Sequence, residues 1–150
     1  MRKRDEQVSK VYAWEDTFVY PLNKWSIAYK DAQTFVDLLW AQEGLMYPPA
    51  IVPMPKQNRT AEAKADRGRI FIQEKVRAIT LIHELAHSMT ATECSYDIGS
   101  HSDRHNADFM GIYLKLLEKY LNISLLYTQA KLQGTGIKYN LAATPYCTRP

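Results

Sequence analysis

The chain has 150 residues, 46% hydrophobic and 23% charged, and 19 basic against 16 acidic side chains give a formal net charge of +3. That is enough chain for one domain over residues 1–150, with a core that needs neither disulfide nor structural metal, and the mild basic excess argues for no anionic partner. Two cysteines, Cys94 and Cys147, form no CxxC pair, which excludes a zinc ribbon, and no apolar leader or window near about 18 apolar residues stands out, so a soluble cytoplasmic protein, of its own cell or a host, is expected.

Residues 1–7 are polar and read as an irregular, solvated tail that contains much of the positive charge in Arg2, Lys3 and Arg4. Val8, Val11, Tyr12 and Trp14 predict a short helix over 7–16, and the stretch 18–25, interrupted by Pro21, reads as a packed loop. Asp31 stands as an N-cap for a helix over 32–43 with Phe35, Val36, Leu38, Leu39 and Trp40 as its stripe, and Gly44 occupies the C′ position. After Tyr47-Pro48-Pro49 breaks the chain, Ala50-Ile51-Val52 predicts a strand that Pro53 and Pro55 end. Residues 60–65 alternate, residues 69–73 hold the apolar run Ile70-Phe71-Ile72, and Asp66-Arg67-Gly68 lies between them as a turn, so a β-hairpin is expected.

A helix over 75–90 follows. It carries Ala78, Ile82, Leu85 and Met89 on one stripe and Val76, Ile79, His83 and His87 on another, the pattern of a central, buried helix. Residues 92–104 are polar and read as a loop. Phe109, Ile112, Tyr113, Leu116, Leu117 and Tyr120 define a helix over 106–121, a last helix spans 124–133, and about 135–150 reads as an irregular tail.

Within the buried helix lies His83-Glu84-Leu85-Ala86-His87. Histidines four apart stand on one helix face, so both imidazoles can reach one metal ion, and a glutamate directly after the first ligand is placed to act as general base toward a metal-activated water. All four histidines of the chain fall between His83 and His105. A catalytic zinc takes three protein ligands and keeps one position open. The third candidates are His105 at the start of the next helix, His101 in the loop, and Asp108, which fits better as a helix-start or imidazole-orienting carboxylate. A metzincin site would need glycine at Thr90 and histidine at Glu93, and is excluded.

The run HELAH, a polar loop, and then His105, Asp108, Phe109 and Tyr113 in the pattern H-x-x-[DE]-F-x-x-x-Y resembles the SprT-like zinc metallopeptidases. Asn106 and Ala107 depart from the Gly-Pro usual there. The N-terminal pattern of Arg4, Asp5, Gln7, Val11, Tyr12 and Glu15 is similar to uncharacterised metallohydrolases of actinobacteria and their phages. The first resemblance implies a minimal zincin-like α+β fold, with a small antiparallel sheet of about three strands packed on the motif helix. It also implies zinc on His83, His87 and His105, with Glu84 as general base.

The leading expectation is thus a zinc metallopeptidase acting on a peptide or protein, with Tyr96, Tyr113 and Arg104 as candidate oxyanion donors. A strand at 69–73 is expected to border the cleft and pair with an extended peptide. The alternatives are a cell-wall amide hydrolase using the same site, or a non-catalytic zinc-stabilised binding module. No membrane contact is expected, and without a clustered basic stripe nucleic acid is not the expected partner.

Overall fold

The computed structural model describes residues 5–56, 61–91 and 105–146. The expected loop at 92–104, with Cys94, Tyr96, His101 and Arg104, lies outside the described residues, as does Cys147. The chain is mixed α+β, with five α-helices and two small sheets among the described residues.

Helix α1 (Val8–Trp14) forms where the apolar spacing places it and buries Val11 and Trp14. It continues into a π-helical turn (Glu15–Val19) and a 3-10 turn (Tyr20–Leu22), so the segment expected as a packed loop is helical as far as Leu22. Pro21 fits there because the first turn of a helix needs no proline N–H. The π turn buries Glu15, a carboxylate that a surface helix would hold in water.

Strand β1 (Ser26–Ala28) pairs antiparallel with β5 (Lys75–Arg77), with Ile27 opposite Val76. Three residues are too few to show a period of two, so neither strand is visible in the sequence, and β5 takes the residues expected as the motif helix's first turn. The pair delivers the chain into helix α2 (Tyr29–Gln42), whose Tyr29 N–H donates to the Glu74 carbonyl at 2.9 Å. The helix therefore starts before Asp31, which lies in its first turn and is not its cap. Its other end is as expected: Gly44, at φ +73°, follows the C-cap Glu43.

Strands β2 (Ala50–Pro53), β3 (Ala63–Ala65) and β4 (Arg69–Ile72) form a sheet in the order β2-β4-β3. The β3–β4 hairpin is present, and its turn is shaped by the Asp66 carboxylate, which accepts the Gly68 and Arg69 N–H groups at 3.0 and 2.7 Å. Strand β2 runs parallel to β4, Ile51 opposite Ile70, so the sheet is mixed where an antiparallel one was expected. A short apolar run carries no information about strand direction. Strand β4 is paired on both sides, which leaves β2 and β3 as the outer strands.

Helix α3 (Ala78–Met89) carries the motif, and all 12 of its residues are buried. Two apolar stripes on one helix require cover on both sides, and it packs against α4 (Ala107–Leu121) and the hairpin. Ile79, Ile82 and Leu85 join Phe109, Tyr113 and Leu117 of α4, Ile70 and Ile72 of β4 and Trp40 of α2 in one apolar cluster. Asn106 caps α4 by accepting the Phe109 N–H at 2.9 Å, and Ser124 caps α5 (Leu125–Leu132). Residues 135–146 are irregular, as expected, yet packed: the Asn140 N–H donates to the Ala107 carbonyl and the Tyr146 N–H to the Met89 carbonyl. Gly111 makes that packing possible, because a Cβ there would stand 1.7 Å from the Asn140 carbonyl oxygen. No helix among the described residues is long and apolar enough to cross a membrane.

Candidate metal centre

His83 and His87, one helical turn apart on α3, point to the same side, and His105, directly before the cap of α4, completes the group. The His105 Nε2 lies 3.1 Å from the His83 Nε2 and 3.3 Å from the His87 Nε2. All three residues are buried, and their ligand atoms fall within 4.8 Å of one another, close enough to bind a metal ion. Of the three candidates for the third ligand, the structure brings His105 to the pair.

The surroundings fix which nitrogen each ring presents. The His83 Nδ1 lies 2.7 Å from Glu15 Oε2, and the His105 Nδ1 lies 2.7 Å from Asp5 Oδ2. An ionised carboxylate only accepts, so each Nδ1 carries the proton and each Nε2 turns a lone pair toward the centre. Lone pairs at about 3 Å repel unless a cation or a proton lies among them. Nitrogens on a tetrahedral ion at about 2.05 Å stand about 3.3 Å apart, so the observed spacing fits one. Carboxylates behind two of the imidazoles complete the pattern by which metal-ligating histidines are oriented.

Glu15 also accepts the Tyr113 hydroxyl at 2.5 Å. Burial raises the Tyr113 pKa well above its usual value, with Glu15 adding to the effect, so that proton stays on the phenol. Tyr113 is thereby committed to Glu15 and is not the oxyanion donor that the sequence offered. Asp5 accepts the His105 backbone N–H at 3.1 Å as well, while the Gln7 side chain donates to the His105 carbonyl at 2.6 Å and accepts the Lys138 N–H at 2.6 Å. Residues 5–7, expected as solvated tail, are the clamp on the third histidine. Asp108 serves α4's first turn and accepts from Asn140 and Tyr146 at 3.1 and 2.8 Å; it is neither in the metal group nor behind an imidazole.

Glu84 is buried beside His83 and lines a cleft of about 410 Å³ together with Tyr12, Glu15, Tyr20, Glu62, Thr80 and His83. Burial pushes its pKa up to about 7, although the neighbouring His83 pulls the other way. Burial alone would lower His83, but attraction to Glu15 outweighs it and raises that imidazole, whereas burial and the nearby His83 lower His105. A carboxyl poised near neutrality in a water-accessible cleft can both take and return a proton. At the cleft mouth, Glu62 receives the Arg77 backbone N–H, the Arg77 guanidinium and the Thr80 hydroxyl.

Asp5, Tyr12, Glu15 and Glu62 are residues to which sequence reasoning gave no role. For the first three a signal existed: Asp5, Gln7, Tyr12 and Glu15 are, among the described residues, the polar and aromatic positions of the N-terminal pattern described above, and all four lie around the three-histidine group. No family model, curated protein or solved structure matches this chain.

Proposed function

We propose that the chain is a zinc-dependent hydrolase of peptide bonds, built on a minimal zincin-like fold. The observation that carries this reading is the placement of Glu84. A purely structural metal site needs only its ligands, yet here a buried carboxyl follows the first histidine directly and lines an open cleft with it, its pKa pushed up to about 7 by burial. His83, His87 and His105 would hold the ion, and an all-imidazole set with one position left over suits zinc. Zinc supplies a Lewis acid able to bring the pKa of water to about 7.

The rest falls to the chain's own residues. Glu84 accepts a proton from the attacking water and passes it to the departing amine nitrogen, so one group with a near-neutral pKa serves both transfers. Glu15 and Asp5 hold His83 and His105 in the required tautomer. Ala61, Glu62 and Ala63, leading into the outer strand on the cleft side, β3, line the cleft, so an extended substrate would run along β3 and not along the fully paired β4.

The test is paired. Wild type and Glu84→Gln are loaded with zinc, their metal content is measured, and both are assayed on a fluorogenic peptide library. About one zinc in each, with turnover in the wild type alone, is the expected result. Equal turnover, or none in either, would sink the hydrolase reading while leaving the metal site standing.

A further inference from the structure

Hydrolysis of an amide builds negative charge on the carbonyl oxygen, and a preorganised donor aimed at that charge is among the strongest catalytic devices. The donors that line the cleft are few, and nearly all are spent. The Tyr20 hydroxyl lies 2.7 Å from the Thr80 Oγ1, and Thr80 donates onward to Glu62 at 3.0 Å. The Arg77 guanidinium is bound to Glu62 and lies over the Tyr20 ring at 3.9 Å. Tyr113 is buried and bound to Glu15.

Tyr12 differs from all of these. Its ring stacks on His83, with centroids 6.1 Å apart and planes at 21°, and meets His105 edge-on at 5.1 Å. It therefore touches two of the three histidines. It is 49% exposed, lines the same cleft as Glu84, and its hydroxyl has no hydrogen-bond partner among the described residues. Its position follows from the helix: Tyr12 and Glu15 are three apart on the continuous α1 and π-helical segment, so both face His83.

Resting on the hydrolase reading above, we infer that Tyr12 is a catalytic residue whose hydroxyl donates a hydrogen bond to the carbonyl oxygen of the scissile amide. As the water oxygen bonds to the carbonyl carbon, the π electron pair moves onto the carbonyl oxygen, and the Tyr12 O–H donates to it without transferring its proton. When the C–N bond breaks, the pair returns to the C=O bond and the nitrogen leaves with the proton held by Glu84. The group recognised is a planar amide turning tetrahedral, so the ligand class that reads the interaction is a tetrahedral phosphonamidate peptide analogue.

The experiment uses Tyr12→Phe, which keeps the ring packing and removes only the hydroxyl. Zinc content and zinc affinity are measured by chelator competition, kcat and KM on the best-cleaved library peptide, and phosphonamidate affinity by titration. The expected result is unchanged zinc binding, a KM within about twofold, kcat lower by about 10²–10³, and phosphonamidate binding weaker by a comparable factor. Unchanged kcat with unchanged phosphonamidate affinity would overturn the role, as would a kcat loss that follows zinc loss, since that would make Tyr12 a packing residue. If zinc-loaded wild type neither cleaves the library nor binds the phosphonamidate, the hydrolase reading fails and this inference with it. If Glu84→Gln is silent and Tyr12→Phe is fully active, only this inference falls.

Discussion

The two halves of the candidate metal centre are built in different ways. His83 and His87 stand on one helix buried along its whole length, and their spacing alone turns both rings to one side. His105 stands just outside its helix and is held by Asp5 and Gln7, which lie 100 and 98 residues away in sequence. The first half exists wherever α3 exists. The second requires the N-terminal segment, the start of α4 and the irregular 135–146 stretch to meet, so substitutions far from the histidines should damage it first.

The strongest way to break the second half is to lift the 135–146 stretch from α4. Gly111→Ala places a Cβ 1.7 Å from one backbone atom of Asn140 and 2.4 Å from another, an overlap no side-chain rotation can relieve. The segment must shift, taking with it the Lys138 N–H that holds Gln7. A loss of roughly 3 kcal/mol or more in urea unfolding is expected, with a lower zinc affinity at temperatures where the variant is still folded. A loss below about 1 kcal/mol would mean that this stretch does not rest on α4.

The two carboxylates behind the imidazoles allow a gentler comparison. The Glu15 side chain is 2% exposed and serves both His83 and Tyr113, whereas the Asp5 side chain is 17% exposed and serves the His105 ring, the His105 N–H and the Gln7 N–H. Replacing either with its amide keeps the shape and removes the charge. Zinc affinity should fall toward the upper end of a range of about 10–100-fold for Glu15→Gln and toward the lower end for Asp5→Asn, where water can replace part of the interaction. Competition against a chromophoric chelator gives both numbers, and the reverse order would mean that burial does not decide how strongly each carboxylate holds its imidazole.

The same division explains what could be read in the sequence. The motif helix, its burial, the capped helix after His105 and the β3–β4 hairpin were legible because each rests on local periodicity or on a cap a few residues away. The histidine pair was legible because one helical turn fixes both members, whereas the third place stayed open among His105, His101 and Asp108 and the family resemblance favoured His105, the residue that the structure brings to the pair. The strands β1 and β5 were not, since three residues carry no pattern and their pairing spans the chain from Ser26 to Arg77. Glu15 could not be placed because its burial depends on a π-helical turn, and nothing in the spacing of Trp14, Phe18 and Val19 specifies one. Asp5 and Gln7 looked like solvated tail because a polar segment that packs by hydrogen bonds alone has the composition of one that does not pack.

The smallest effect is expected where the helix half has its own long-range prop. Glu62 sits at the start of α3, bound to the Arg77 N–H, to its guanidinium and to Thr80. Burial pushes its pKa upward, but the Arg77 and Thr80 hydrogen bonds outweigh this and hold it below the usual value of 4.5. A carboxyl with a depressed folded-state pKa contributes stability that is fully present above about pH 4.5 and is lost as the pH falls through the folded value. The Arg77 side chain is 48% exposed and that of Glu62 29%, so solvent screens the pair and the contribution should stay below about 1 kcal/mol. Glu62→Gln should therefore remove that contribution, below about 1 kcal/mol, at pH 7 and converge on the wild type as the pH falls below 4.5, flattening the acid limb, as thermal unfolding across pH would show. Zinc affinity should be unchanged, because the spacing of His83 and His87 comes from the helix and not from its prop. A zinc affinity that fell with Glu62→Gln would mean that the start of α3 sets the ligand geometry, and the contrast between a self-sufficient half and an assembled one would fail.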